Sequence, residues 1–265
     1  MLGFLPQYKR RSLVSACGAL KSTLGPLVFV VAVGGCATAS PSNPFGIPEE
    51  EFRTKVKRIA LAPLAVPPQL GVPEPTKLRV DALIETKLRE AGFATFPASE
   101  WGEVFTRTQQ EVGGLFDPRT GGLDDAKVKT IVARTIEDIR GRFQLDAVLL
   151  PRVQVVKANF VGAWARWDGV SDALASGLSV LATSGISGTV PALSLVVSID
   201  SPDGLALYRR GAGIQVLEKL APVTERLSGK WLAPVPREEV LANEERNLTA
   251  VERALGPLLK KRESR

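Results

Sequence analysis

The chain has 265 residues, with 34 Lys+Arg against 28 Asp+Glu, two Cys and no His. That length suits one large or two small domains, and 45% apolar content is enough to build a core. Without His there is no Ser-His-Asp or Cys-His triad and no His-containing zinc site, and two Cys cannot make a four-thiolate site.

The amino-terminal stretch reads as an address. Residues 1–35 hold Lys9, Arg10, Arg11 and Lys21 and no acidic residue, and an apolar run extends from Leu24 to Val33. As a helix that run covers roughly 15 Å, half a hydrocarbon core, so it predicts a cleaved signal and not a permanent span. The segment Val33-Gly34-Gly35-Cys36 then resembles the lipobox of bacterial lipoproteins: an aliphatic residue, two small residues and a Cys. The resemblance implies cleavage between Gly35 and Cys36, a diacylglycerol on the Cys36 sulfur and an acyl chain on the new amino terminus. Ala37, where an Asp would favour inner-membrane retention, implies the outer membrane and its periplasmic face. No other cofactor is expected. Cleavage leaves 230 residues and lowers the net charge from +6 to +2, too little to support a nucleic-acid partner.

Residues 36–54 are expected to be the lipidated Cys and a flexible, Pro-containing tether, with one globular α/β domain over 55–262. Val56–Leu64 reads as a buried strand. Thr76 is placed as the cap of a helix whose apolar face is Leu78, Ala82, Leu83 and Leu88, closed by Gly92. A short strand follows at 93–97, then a helix from a Ser99 cap to about Val112. After a Gly-rich loop over 113–124, Asp124 caps a helix to about Arg140 with Val128, Ile131, Val132, Thr135, Ile136 and Ile139 on one face. Residues 146–156 form the next strand, and 159–168 alternate as another, ending in an Asp168-Gly169 turn. Ala192–Asp200 and Leu205–Leu217 make a hairpin about Pro202-Asp203-Gly204, and Pro236 opens a final helix. Helices between the early strands imply parallel pairing and the late hairpin an antiparallel part. The expected fold is therefore α/β, a mixed sheet with a C-terminal helix packed on it.

This order behind a lipobox resembles the periplasmic lipoprotein families related to the amino-terminal domain of TolB, among them the curli-secretion and penicillin-binding-protein-activator lipoproteins. The resemblance rests on VKRIALAPL (56–64), LIETKLREAGFATFPASEW (83–101), DAVLLPRVQVV (146–156) and LSLVVSIDSPDGLALYRRGAG (193–213). It covers roughly residues 55 to 260 and departs at 158–190. It implies a non-enzymatic binding or assembly module of the cell envelope with a protein partner. Only the 192–217 hairpin approaches the length of a membrane-spanning strand pair, so a pore is not expected.

Trp164, Arg166, Trp167 and Asp168 form the most unusual local group. They read either as a partner-binding surface, since Arg, Trp and Asp can stack and pair, or as a cap with one ring in the core and one at its rim. Asp124-Asp125, Glu137-Asp138 and Glu238-Glu239 are adjacent on helices, so no pair shares a face for acid–base work. Gly211-Ala212-Gly213 lies inside a strand, where a bulge or close packing is expected and not a phosphate loop. Two further readings remain open: an accessory subunit of an export or lipid-transport machine, and a hydrolase working through two facing carboxylates.

Overall fold

In a computed structural model, residues 43–175, 185–227 and 229–260 are described. Chain order gives α1 (Glu49–Lys55), β1 (Arg58–Leu61), α2 (Glu74–Glu90), β2 (Ala94–Phe96), α3 (Ala98–Val112) and α4 (Asp125–Phe143). There follow β3 (Ala147–Val161), β4 (Trp164–Trp167), β5 (Val170–Ala173), β6 (Ser187–Asp200) and β7 (Ala206–Val216). The chain ends with β8 (Glu218–Leu220), α5 (Val223–Leu227), β9 (Leu232–Pro234) and α6 (Glu244–Leu259). The fold is α/β, with the mixed sheet and packed C-terminal helix that the residue patterns predict.

β3 organises the sheet. One of its edges pairs with β6 in register from Val148↔Asp200 to Val161↔Ser187. The other edge is shared: β1 takes the start in parallel, Ala65 bridges Arg152 in the middle, and β4 takes the end in antiparallel. β2 pairs with β1 in parallel, and β7 pairs with β6 in antiparallel. Pro151 is tolerated inside this long strand because its missing N–H would face the shared edge just where β1 has ended. Its carbonyl, which points the same way, accepts from Ala65 N at 3.0 Å.

Three apolar clusters follow from strand alternation. Leu149, Val153, Leu193 and Leu195 point to α2 and α6 and join Ile84 and Leu255. On the opposite face, Ala60 and Val148 pack beneath α3 and α4 with Trp101, Phe105, Ile131 and Ile139. Farther along that same face, Ala158, Val190 and Val216 meet Ala165, Trp167 and Leu174 of the β4–β5 hairpin.

The helices differ from expectation in their starts and faces. Pro73 and Pro97 precede α2 and α3, and neither helix has a side-chain cap, so Thr76 and Ser99 sit inside first turns. Proline at the helix start presets φ and needs no donor, which makes the hydroxyl cap dispensable. On α2 the buried stripe is Val80, Ile84 and Leu88 at strict four-residue spacing, while Leu78 and Ala82 face solvent. Asp124 does cap α4, accepting from Ala126 N at 3.0 Å and Lys127 N at 3.1 Å. The last helix begins at Asn243, whose side chain caps it, and not at Pro236, where only one 3-10 turn forms.

The domain also begins earlier than residue 55. Residues 44–54, expected as tether, are folded onto the core through Phe45 and the fully buried Phe52. Both rings pack against Tyr208, at centroid distances of 5.2 and 6.4 Å. Gly46 N donates to Leu207 O at 2.9 Å, so close to the Ala206 carbonyl that any Cβ would collide with it. Proline and glycine spacing suggested a linker; three aromatic rings decide otherwise. Phe52→Ala should destabilise the domain by about 3–5 kcal/mol in chemical denaturation. A loss under about 1 kcal/mol would mean that this segment is not part of the core.

Candidate functional site

The WARWDG segment becomes β4 and a two-residue turn, and period-2 alternation divides its side chains. Trp164 and Arg166 project to one face and are exposed, while Ala165 and Trp167 project to the other and are buried. Asp168 and Gly169 take positive φ of 37° and 77°, the backbone that an Asp-Gly hairpin turn needs. Trp164 is 52% exposed and lies opposite Val161, which is 75% exposed. Val155, Lys157 and Asn159 continue the same exposed face along β3, with Ser187 and Thr189 beside them on β6. These positions include two cations, Lys157 and Arg166, and no carboxylate.

The other two residues of the expected surface are turned away from it. The Trp167 indole is buried and its Nε1 donates to Leu193 O at 3.1 Å. The Asp168 carboxylate accepts from Ser194 Oγ at 2.6 Å. The four residues are therefore two pairs with different work: Trp164 and Arg166 face solvent, and Trp167 and Asp168 fasten the hairpin to β6.

One glycine of the expected bulge and several groups that no local pattern singled out hold the hairpin in place. Gly213 lies directly under it: a Cβ there would collide with Val170 and come within 2.7 Å of Trp167 Nε1. The register of β7 also shifts between Leu193 and Ser194, so the Gly-rich strand carries both the bulge and the close packing expected of it. Asp172 is buried and takes a two-pronged bond from Arg246 of α6, each N–O distance being 2.9 Å. The same carboxylate accepts from Val216 N at 3.1 Å, and Arg253 donates to Gly169 O at 2.8 Å. The partners lie 74 and 84 residues apart, beyond the reach of any motif.

One member of each adjacent carboxylate pair has a structural partner. Asp124 is a cap, Asp138 pairs with Arg107 and with Arg142, and Glu239 pairs with Lys219 at 3.7 Å. The loop over 113–124 is closed by a Phe116↔Leu123 bridge and by Asp117 O, which accepts from Gly121 N at 2.8 Å. Gly35 and Cys36 lie outside the described residues. Among the described residues, no cluster of three or more His, Cys, Asp or Glu could hold a metal ion, and no helix is long and apolar enough to cross a membrane.

One buried carboxylate stands apart. Asp81 on α2 is 5% exposed and accepts from Leu64 N at 3.0 Å, tying the helix to the chain that leaves β1. Burial, opposed by that single hydrogen bond, pushes its pKa up to about 7. Beside it in the chain, Val80 lines a water-sized cavity together with Leu64, Val153 and Asn247, whose buried Oδ1 has no hydrogen-bond partner.

No protein-family model and no curated protein matches this chain.

Because the folded-state pKa of Asp81 lies above its ordinary 3.8, the unfolded chain releases this proton first as pH rises. Stability is then lost between about pH 4 and pH 7, at up to about 1.4 kcal/mol per unit. Asp81→Asn keeps the acceptor for Leu64 N but carries no charge, so the stability gap between variant and wild type should open steadily across that window. Parallel curves from pH 4 to 7.5 would contradict it.

Proposed function

We propose that this chain is a lipid-anchored lipoprotein of the bacterial outer membrane, facing the periplasm, that binds a protein partner of the envelope and is not an enzyme. The observation that carries the binding role is the outer face of the β3–β4 hairpin. There the Val161–Trp164 pair and Arg166 stand in solvent on a rigid, doubly fastened element. Trp and Arg are among the residue types most enriched at the energetic centres of protein interfaces, and a backbone held in place lowers the entropy cost of using them. Lys157 and Arg166, with no carboxylate on the same positions, favour a partner with an acidic rim around an apolar contact.

The anchor is supported by Val33-Gly34-Gly35-Cys36 and the cationic, apolar stretch before it. With folding beginning at Pro44, seven residues separate Cys36 from the domain. Fully extended, they span about 25 Å. A lipidated Cys36 would thus keep the domain close to the bilayer, and its partner would have to lie at or near the membrane surface.

Two measurements test the two halves separately. Cys36→Ala should leave the membrane fraction and lose lipid labelling; a variant that remained lipidated and membrane-bound would refute the anchor. A photo-cross-linker at Trp164 should capture one envelope protein reproducibly, and Arg166→Glu should weaken that capture at least tenfold. Cross-linking that returns no envelope protein, or is indifferent to Arg166→Glu, would refute the surface.

A further inference from the structure

The sheet face that carries the α3–α4 cluster and the hairpin cluster is interrupted by a polar band. On β3, Val148 and Leu150 pack under the helices and Val156 and Phe160 under the hairpin, while Arg152 and Gln154 lie between. Across from them, β6 contributes Ser194, Val196, Ser198 and Asp200, and β7 places Arg209 opposite Ser198. Two arginines and the Asp200 carboxylate therefore share a strip of sheet between the two covering layers, with the Asp168 carboxylate of the hairpin bonded to Ser194 at one end.

The described arginines without a carboxylate partner include the exposed Arg134, Arg166 and Arg237, from which the half-buried Arg152 differs in its burial. Arg53, Arg58, Arg107, Arg142 and Arg246 all have carboxylate partners. Among the described residues, the Arg152 and Arg209 guanidinium groups make no hydrogen bond and no ion pair, and the Nε of Arg152 is buried without a partner. Burial holds the Arg152 guanidinium below its usual value, and Arg209 repels it further. Asp200 is the compensating charge, yet its own burial favours the neutral form. A half-buried guanidinium left unpaired beside a second is costly to the empty protein, and an arriving anion removes that cost.

We propose that Arg152 and Arg209 bind a single oxyanion group of the phosphate type, as inorganic phosphate or as a phosphate monoester or diester. Planar guanidinium forks match phosphate oxygens, and a tetrahedral group has oxygens enough for both forks, whereas a carboxylate's two oxygens fill only one. Asp200 is placed to accept a hydrogen bond from a hydroxyl on the ligand. This site is on the opposite sheet face from Trp164 and Arg166, so it does not depend on the partner-binding surface or on the anchor.

The test uses the full-length chain in detergent, titrated with inorganic phosphate at constant ionic strength set by chloride. Saturable binding is expected in the wild type and in Arg134→Gln, a change at an exposed arginine of α4. Arg152→Gln and Arg209→Gln should each weaken it at least tenfold; Arg209 is exposed, so its variant keeps the fold. Without phosphate, Arg152→Gln should raise the melting temperature by about 2–4 °C, because the unpaired charge is gone. Vesicles of phosphatidylglycerol and of phosphatidylcholine identify the source. Selective binding to the former that Arg209→Gln abolishes assigns the site to a lipid headgroup; phosphate binding without such selectivity assigns it to a soluble phosphate. The absence of a saturable response, or equal phosphate affinity in wild type and Arg209→Gln, overturns the proposal.

Discussion

Almost every feature of this domain depends on the long antiparallel ladder between β3 and β6, which runs without a register slip from Val148↔Asp200 to Val161↔Ser187. A ladder of that length fixes which face each side chain occupies, since a slip of one residue would exchange the two faces. It lets one strand serve two architectures. Near its start β3 is the last strand of the parallel β2–β1–β3 part of the sheet, and near its end it opens an antiparallel hairpin with β4. The odd-numbered residues of its first half support α2 and α6. The even-numbered ones support α3 and α4 first and the folded-back hairpin afterwards.

The fold-back has a specific physical cause. Gly213 removes the side chain that would keep β4 and β5 off β7, and Trp167 and Val170 occupy the space. Asp172, drawn into the interior by this packing, would be an unpaired buried charge without Arg246 and the Val216 N–H. Buried ion pairs contribute little net stability, but they penalise every arrangement in which one partner is left alone. The clasp therefore selects the orientation of the hairpin more than it strengthens the domain. That orientation exposes Trp164 and Arg166 on one side and leaves the Arg152–Arg209 band open on the other.

Much of the fold was legible because its signals are local. The capped helix after Asp124, the Asp168-Gly169 turn and the Pro202–Gly204 hairpin each depend on residues only a few positions apart. Boundaries failed where a local rule competed with a distant contact. Pro44 and Pro48 read as linker residues, yet Phe45 and Phe52 find Tyr208, more than 150 residues away. The apolar face of α2 was misassigned because Leu78 is larger than Val80, although only the latter shares a four-residue period with Ile84 and Leu88. The tryptophan group was visible as a cluster, but adjacency in sequence concealed that alternate strand residues face opposite ways.

Chemistry that follows from which residues are present at all belongs to the sequence: a chain without His, whose two Cys both lie within its first 36 residues, has a narrow set of possible reactions whatever its shape. The proposed address before Cys36 likewise rests on a linear segment, because the features that suggest it are contiguous. The sites are different. Asp172 and Arg246 are 74 residues apart, and Arg152 and Arg209 come onto one sheet face only because two strand pairings flank β6 with their positions. Composition says that arginines are plentiful; the register of the sheet decides which of them are left without a hydrogen bond or ion pair.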